Sequence, residues 1–124
     1  MSRLPHPRRH LFWVGSAKKD YATFPPAVQE QFGFELFLAQ TGQHPPSAKP
    51  LTGIGGGVIE LVERHDGDTY RAVYTIRFGD VLYVLHSFMK KAKQGIKTPQ
   101  HEIELIRNRL KDAEAHFRSI GVKE

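Results

Sequence analysis

The sequence contains no cysteine, and this absence excludes several kinds of site at once. Without thiols the chain can form no disulfide framework, no thiolate metal site and no cysteine nucleophile, which agrees with a reducing compartment. The histidines show no metal-ligand spacing, and no Ser-His-Asp arrangement or closely spaced carboxylate pair is evident. We therefore expect neither a metal nor another cofactor.

Long hydrophobic runs are also missing. Residues 1–10 include arginines but no apolar stretch of the kind found in signal peptides, and no later segment has the length of a membrane span. These features predict a soluble, cytoplasmic protein without a membrane partner. We expect residues 1–9, which are rich in Arg and Pro, to form a flexible extension, and residues 10–124 to form a single domain.

The sequence does have enough apolar material for one core, and an excess of positive charge. Hydrophobic residues make up 40% of its 124 residues, including eight Phe and four Tyr. Lysine and arginine outnumber aspartate and glutamate by 18 to 13, which gives a formal net charge of +5. This charge favours an anionic partner such as nucleic acid, although solvated lysines give many small domains a similar charge.

Hydrophobic periodicity predicts seven elements. A β-favouring run predicts a strand over residues 10–14, and Ser16 can cap a short helix after it. An apolar stripe at helical spacing predicts a second helix over residues 27–40. An irregular connection rich in glycine and proline follows, and then come three strand-like runs, at residues 58–63, 69–78 and 81–88.

Turn and cap residues define how these elements connect. Asp66-Gly67 and Gly79-Asp80 are typical of tight hairpin turns, so the three runs should form an antiparallel meander. Thr98 and Pro99 can open a last, amphipathic helix. The order β-α-α-β-β-β-α predicts an α+β fold, in which an antiparallel sheet of about four strands carries two N-terminal helices on one face. The C-terminal helix should close an edge or an end, leaving the other sheet face outward.

Two arginines on the strand at residues 69–78 are candidates for chemistry. Side chains alternate along a strand, so Arg71 and Arg77 share a face. Arginines are costly to bury without a partner in the middle of a sheet, so this pair is either functional or ion-paired. In the second interpretation, Glu60 and Glu63 on the neighbouring strand supply the partners.

A basic segment follows the last strand. Its cations either bind phosphates or belong to a solvated loop, and they are His86, Lys90, Lys91, Lys93 and Lys97. The imidazole of His86 titrates near neutrality, as a general acid or base must. Strand alternation places His86 with Leu82 and Val84, however, so a packed, hydrogen-bonded histidine is the alternative.

Three short patterns together resemble a known family. Tyr-Arg-x-x-Tyr begins at Tyr70, Phe-x-Lys-Lys at Phe88 and Thr-Pro-x-x-Glu at Thr98. Over roughly residues 10–117 the chain is similar to the RelE/HigB superfamily of type II toxins, specifically to its phage-derived branch. The resemblance implies a RelE-like toxin fold.

The resemblance also implies an activity and partners. Such toxins cleave mRNA on the ribosome as metal-independent endoribonucleases, and a cognate antitoxin, often a helix-turn-helix protein, inhibits them. By position, Arg71 matches the arginine that acts on the scissile phosphate, and Lys91, with Lys90 beside it, matches the residue that stabilises the transition state or leaving group. His86 and Glu60 complete the catalytic candidates. The remaining phosphate-binding candidates are Arg77, Lys93, Lys97 and Lys49.

The chain departs from the family pattern on one strand. Relatives often carry lysines on the strand before the Tyr-Arg strand, where this chain has Glu60 and Glu63. The general base is then unassigned, unless a raised pKa allows Glu60 to serve. Two alternatives to an mRNA-cleaving toxin stay open: a non-nucleolytic toxin that targets DNA gyrase, as in the ParE group, and an inactive protein that only binds an antitoxin. The sequence does not predict the oligomeric state.

Overall fold

The computed structural model describes residues 8–91 and 98–120. Within these residues the strands are β1 (His10–Trp13), β2 (Lys49–Pro50), β3 (Val58–His65), β4 (Asp68–Thr75) and β5 (Val81–Lys90). The helices are α1 (Ala17–Tyr21), α2 (Pro26–Gln40) and α3 (Gln100–Ser119). The strands form one sheet with the order β1-β5-β4-β3-β2.

The sheet is mixed, which differs from the antiparallel sheet of about four strands that the sequence predicted. β1 runs parallel to β5, whereas the other neighbouring strands pair antiparallel. Two helices and a meander separate β1 from β5 along the chain, so no local turn signal sets their relative direction. The additional strand, β2, is only two residues long and ends in a proline, which is too short for a sequence pattern to reveal.

The local signals for the hairpin and for α2 are confirmed. Asp66 and Gly67 both adopt positive φ angles, 51° and 83°, as the two central residues of a tight hairpin turn between β3 and β4 require. Pro26 lies in the first turn of α2, where proline is tolerated. Val28 and Phe32 of the expected stripe are both buried against the sheet.

Helices cover both faces of the sheet. The first face carries α1 and α2, and its core includes Phe32 and Leu36 packed with Leu61. The second face carries α3, which buries Ile106 and Leu110. The expectation that α3 closes an edge or end and leaves the second face outward is therefore wrong. Covering a whole sheet face removes more apolar surface from water than capping its edge does.

Other predictions about the chain concern its start and its membrane contacts. Residues 1–7 of the expected extension lie outside the described residues, whereas Arg9 is bonded through its backbone N–H to the Gln40 carbonyl at the end of α2, at 2.9 Å.

None of the helices in the described part of the chain combines the length and hydrophobicity needed to cross a bilayer. In that same part, no group of three or more His, Asp or Glu residues is arranged to hold a metal ion.

Candidate active site

A β-bulge in β5 decides which side chains meet on the second sheet face. Tyr74 pairs with Val84, but the preceding Val73 pairs with His86, so Leu85 is an extra residue in β5. Beyond such a bulge the alternation of side chains reverses with respect to the rest of the strand. Lys90 consequently lies on the same face as Arg71, the face that α3 covers.

Three charged side chains are buried together on this face, and we refer to Arg71, Glu60 and Lys90 as the charged cluster. The Arg71 Nη1 atom lies 2.9 Å from Glu60 Oε2. Arg71 is 4% exposed, and Glu60 and Lys90 are each 2% exposed. Arg71 and Lys90 are also close enough for their charges to interact. The structure thus favours the ion-paired interpretation of Arg71 in the free protein, with Glu60 as its partner.

Further contacts fix the Glu60 carboxylate. Thr98, just before α3, donates its hydroxyl to Glu60 Oε2 at 3.2 Å. Lys49 on β2 places its Nζ 4.0 Å from Glu60 Oε1. The carboxylate is therefore surrounded by donors from β2, β4 and the start of α3, which compensates for its removal from water.

The environment of Lys90 makes its proton easier to lose. Burial lowers the pKa of Lys90, and the positive charge of Arg71 lowers it further, whereas the negative charge of Glu60 acts in the opposite direction. A lysine with a lowered pKa can transfer a proton more readily near neutral pH than an exposed lysine can.

Two of the other lysine candidates are exposed rather than buried with the charged cluster. Lys49 and Lys91 are exposed, with 55% and 65% of their side-chain surface accessible, and Lys91 lies 3.9 Å from Asp68. Lys93 and Lys97 lie outside the described residues.

Arg77 lies apart from the charged cluster. β4 ends at Thr75, so Arg77 lies beyond the strand that carries Arg71. The exposed Arg77 guanidinium donates through Nε to the Gly56 carbonyl at 3.0 Å. The alternative in which Glu60 or Glu63 pairs with this arginine is therefore wrong, because the strand ends before Arg77 and the chain bends towards the glycine-rich loop.

His86 is a packed, hydrogen-bonded histidine, but on the opposite face from the one that strand alternation predicted. It lies with Val73 on the face of α3 because the bulge intervenes. Its Nε2 atom is 2.5 Å from Glu102 Oε1, and Arg109 Nη1 lies 3.3 Å from its Nδ1. Because the arginine can only donate, Nδ1 accepts and Nε2 carries the proton in this arrangement. Burial lowers the pKa of His86.

Arg109 on α3 is a residue that sequence reasoning missed. Its Nη1 donates to the carbonyl of Leu85, the extra residue of the bulge, at 3.0 Å, and its Nη2 donates to the Ser16 hydroxyl at 2.9 Å. Gly15 permits this approach, since a Cβ at that position would lie 2.9 Å from Arg109 Nε and its φ is +56°. Arg109 thus joins α3, the bulge and the start of α1, and only the bulge itself could have signalled its role.

A cleft opens where α3 begins. It has a volume of about 270 Å³ and extends along the segment that follows β2. Thr98, which is bonded to Glu60, forms part of its wall, together with Gly53 and Arg107. The Arg107 Nη2 atom donates to the Gly53 carbonyl at 2.9 Å across it. The cleft therefore adjoins the charged cluster through Thr98.

Comparison with known sequences assigns the chain to a family. The sequence profile described as phage-derived protein Gp49-like matches residues 19–111, which is most of the chain. The chain belongs to this Gp49-like family. No curated protein matches it.

Comparison with solved structures shows the fold of this Gp49-like protein. An arginine double mutant of the E. coli toxin RelE, in the free state, has a TM-score of 0.55 at 20% identity, covering 86% of this chain and 98% of RelE. The isolated E. coli RelE toxin gives 0.52 at 21% identity, covering 81% and 97%. A RelBE2 toxin-antitoxin complex from Mycobacterium tuberculosis gives 0.47 at 19% identity, covering 69% and 94%. The RelE-like fold and the phage-derived branch are confirmed.

The charged cluster of this Gp49-like protein combines two chemical abilities. Cationic Arg71 and Lys90 can stabilise negative charge that develops on an oxyanion, and the Glu60 carboxylate can accept a proton. Such a combination suits transfer reactions at a phosphodiester. For such a reaction, the phosphate of the substrate has to replace part of the ion pairing between Arg71 and Glu60.

Proposed function

We propose that this Gp49-like protein is the toxin of a type II toxin-antitoxin pair and that it inhibits translation by cleaving mRNA on the ribosome. The observation that carries the proposal is the charged cluster, in which two cations and a carboxylate meet on one sheet face within a RelE-like fold. The formal net charge of +5 is consistent with an anionic substrate.

The proposed reaction uses the nucleophile that RNA itself carries. Glu60 accepts the proton of a ribose 2′-hydroxyl, and that oxygen attacks the adjacent phosphorus. Arg71 stabilises the additional negative charge on the phosphate oxygens, and Lys90 gives a proton to the departing 5′-oxygen. The bond to the 5′-oxygen breaks as the bond to the 2′-oxygen forms, so the products carry a 2′,3′-cyclic phosphate and a 5′-hydroxyl.

Burial of the charged cluster sets a requirement for this reaction. Since all three side chains are buried, we propose that the hydrogen bond from Thr98 to Glu60 opens to admit a phosphate to Arg71. The cleft beside Thr98 is the proposed path. We propose that binding to the programmed ribosome provides the free energy for this opening, because the free protein holds the ion pair closed.

A toxin that acts on its own cell's messages needs a partner that inhibits it. We propose a cognate antitoxin, of the helix-turn-helix type, which binds this protein in the cytoplasm. An acidic, partly apolar segment of that partner would complement the positive net charge.

The burial of the charged cluster also supports one alternative function. The burial and internal pairing of the charged cluster equally suit an inactive family member that only binds an antitoxin. The two accounts differ in what the isolated protein does to a cell, since only the toxin arrests growth in the absence of its partner.

Expression of the protein alone, with mRNA integrity followed by primer extension, tests the proposal. We expect growth arrest and new 5′ ends within translated messages from the wild type. Glu60→Gln should reduce cleavage by about 100-fold or more, because a general base contributes roughly that factor. Arg71→Lys, which keeps the charge but loses the planar two-donor geometry, should be similarly impaired.

Arg118→Gln serves as the matched control, because Arg118 is an exposed arginine at the far end of α3. It should cleave like the wild type. Growth arrest with intact messages and damaged DNA would instead support a gyrase-directed toxin. Normal growth together with antitoxin binding would support the inactive binding protein.

A further inference from the structure

A second cavity lies on the first sheet face, away from the charged cluster. It has a volume of about 220 Å³ and opens between the end of α2 and the loop that follows. Its apolar walls are formed by Ala39, Ile59 and Ile76. Its polar lining residues are Arg9, Gln43, His44 and Tyr74. Its walls share no residue with the cleft beside Thr98, so it is separate from the proposed active site.

Tyr74 presents a hydroxyl to this cavity. The residue is 2% exposed, and within residues 8–91 and 98–120 its hydroxyl makes no hydrogen bond. The hydroxyl oxygen is not sealed from solvent, since the residue lines the cavity. Burial, with the nearby Glu35 charge, raises the pKa of Tyr74 to about 12, so its hydroxyl keeps its proton and can donate. The hydroxyl is therefore a donor that a bound molecule can satisfy.

Arg9 supplies positive charge at the same cavity, held in place before any ligand arrives. Its Nη1 donates to the Ala39 carbonyl at 2.8 Å, and the Gln40 side chain donates to its carbonyl at 2.7 Å. In the described part of the chain no carboxylate lies within 4.0 Å of its guanidinium, and Nε has no hydrogen-bond partner. A fixed guanidinium with remaining donors loses little side-chain entropy when it binds an anion.

Glu35, the buried carboxylate whose charge acts on Tyr74, takes hydrogen bonds from Ser47 and makes no ion pair with Arg9 in the described part of the chain. Glu35 accepts hydrogen bonds from the Ser47 hydroxyl at 2.5 Å and the Ser47 backbone N–H at 3.1 Å. The cavity thus combines one guanidinium, three further polar side chains and apolar walls. A carboxylate on a short apolar body can use both the guanidinium and the apolar walls, whereas a phosphate has no apolar part to place against those walls.

We propose that this cavity binds a carboxylate attached to a small apolar group. Arg9 pairs with the carboxylate, the Tyr74 hydroxyl donates to it, and Ile59 and Ile76 contact the apolar part. The same chemistry is offered by a free short-chain carboxylic acid and by the C-terminus of a peptide that ends in an apolar residue. The site is independent of the proposed RNA cleavage.

NMR titration of the full-length protein distinguishes these sources. The compounds are butyrate, its neutral analogue butyramide, inorganic phosphate, and the tripeptide Ala-Ala-Leu with either a free or an amidated C-terminus. We expect butyrate or the free-acid peptide to shift the signals of Arg9 and the cavity walls, and the neutral forms to bind at least 10-fold more weakly. Shifts with butyrate assign a small-molecule site, and shifts with only the free-acid peptide assign a peptide terminus.

Two variants test the assigned donors. Tyr74→Phe keeps the buried ring, and Arg9→Gln removes the charge; each should weaken carboxylate binding by about 10-fold or more, because a hydrogen bond to a charged group is lost. Arg118→Gln should bind like the wild type, and thermal unfolding confirms that every variant is folded. Equal binding of butyrate and butyramide, preferential binding of phosphate, no binding at all, or unchanged affinity in Arg9→Gln would overturn the proposal. The last result would leave Arg9 with only its role at the end of α2.

Discussion

At the scale of single residues, Glu60 holds the charged cluster together. Among the described residues its carboxylate faces Arg71 and Lys90, and Thr98 and Lys49 also approach it. Removing one partner from a buried ion pair costs more than the pair itself contributes, because the remaining charge stays buried. The same residue is therefore both a stabilising element of the closed protein and the proposed base of the reaction.

This double role predicts a large loss of stability on removing the carboxylate. Glu60→Ala should lower the free energy of unfolding by about 3–5 kcal/mol, since Arg71 and Lys90 then repel each other in a buried site. Urea denaturation measures the change. Glu30→Ala is the control, because Glu30 is exposed on α2, and it should change stability by less than about 0.5 kcal/mol. A loss below about 1 kcal/mol for Glu60→Ala would contradict the buried pairing.

His86 predicts a dependence of stability on pH. Burial lowers the pKa of His86 below its usual 6.5, so between these two values the unfolded chain binds more protons than the folded one. The contribution of the neutral imidazole to the free energy of unfolding is therefore fully present above pH 6.5. It is lost as the pH falls through the lowered pKa. Protonation would also place a donor against Arg109.

Urea denaturation at a series of pH values between neutral and mildly acidic measures this effect. The wild type should lose stability more steeply on acidification than His86→Gln, which packs a neutral amide in place of the imidazole. His44→Gln, at an exposed position, should retain the wild-type slope. Identical slopes for wild type and His86→Gln would show that His86 does not titrate differently in the folded protein.

At the scale of elements, the bulge at Leu85 determines whether Lys90 or Lys91 lies on the same sheet face as Arg71. Without it, the alternation along β5 would place Lys91 on the face of Arg71 and would turn Lys90 towards α1 and α2. The Arg109 guanidinium supports this arrangement, because it satisfies the Leu85 carbonyl from α3 while bonding Ser16.

Arg109→Met tests that support. It keeps much of the side-chain volume but leaves the Leu85 carbonyl and the Ser16 hydroxyl without this donor, so we expect a loss of about 1–3 kcal/mol in the free energy of unfolding. Arg118→Met, on the same helix but exposed, should have little effect. Equal stability of the two variants would show that the guanidinium is not needed to hold the bulge.

Sequence patterns revealed the elements of this fold better than their arrangement. The buried stripe of α2 and the Asp66-Gly67 turn followed from helical spacing and turn chemistry, because both depend on neighbouring residues. The bulge did not, since the apolar run Val81–Leu85 does not alternate and an extra residue leaves no mark in it. That continuous run is itself typical of a strand covered on both faces, and it could have predicted the position of α3.

The sequence predicted which residues form the candidate site, but not that their side chains are buried. Arg71, Lys90 and Glu60 were candidates from the sequence, and the structure brings them together. Their burial was not foreseen, because it depends on α3 lying over the second face, and the signal for this in the apolar run of β5 was not used. Arg77 was grouped with Arg71 by alternation along a strand that ends at Thr75.

At the scale of the whole molecule, the protein carries a net positive charge while its proposed reactive groups are buried. Both faces of the sheet are covered, and the exposed positive charge lies outside the charged cluster. Initial attraction to RNA or to the ribosome therefore depends on the net charge of +5, and cleavage depends on the three buried side chains. Binding should weaken as salt rises, whereas Glu60→Gln should reduce cleavage by about 100-fold or more without weakening binding.

Cleavage of a message that carries a single 2′-deoxynucleotide tests the central claim most directly. Translating ribosomes are programmed with two mRNAs that are identical except for the missing 2′-hydroxyl at the mapped cleavage position. We predict that wild-type protein cuts the all-ribose message, leaving a 2′,3′-cyclic phosphate, and leaves the 2′-deoxy position intact, while Glu60→Gln cuts neither. Cleavage at the 2′-deoxy position, or an intact all-ribose message, would contradict the account.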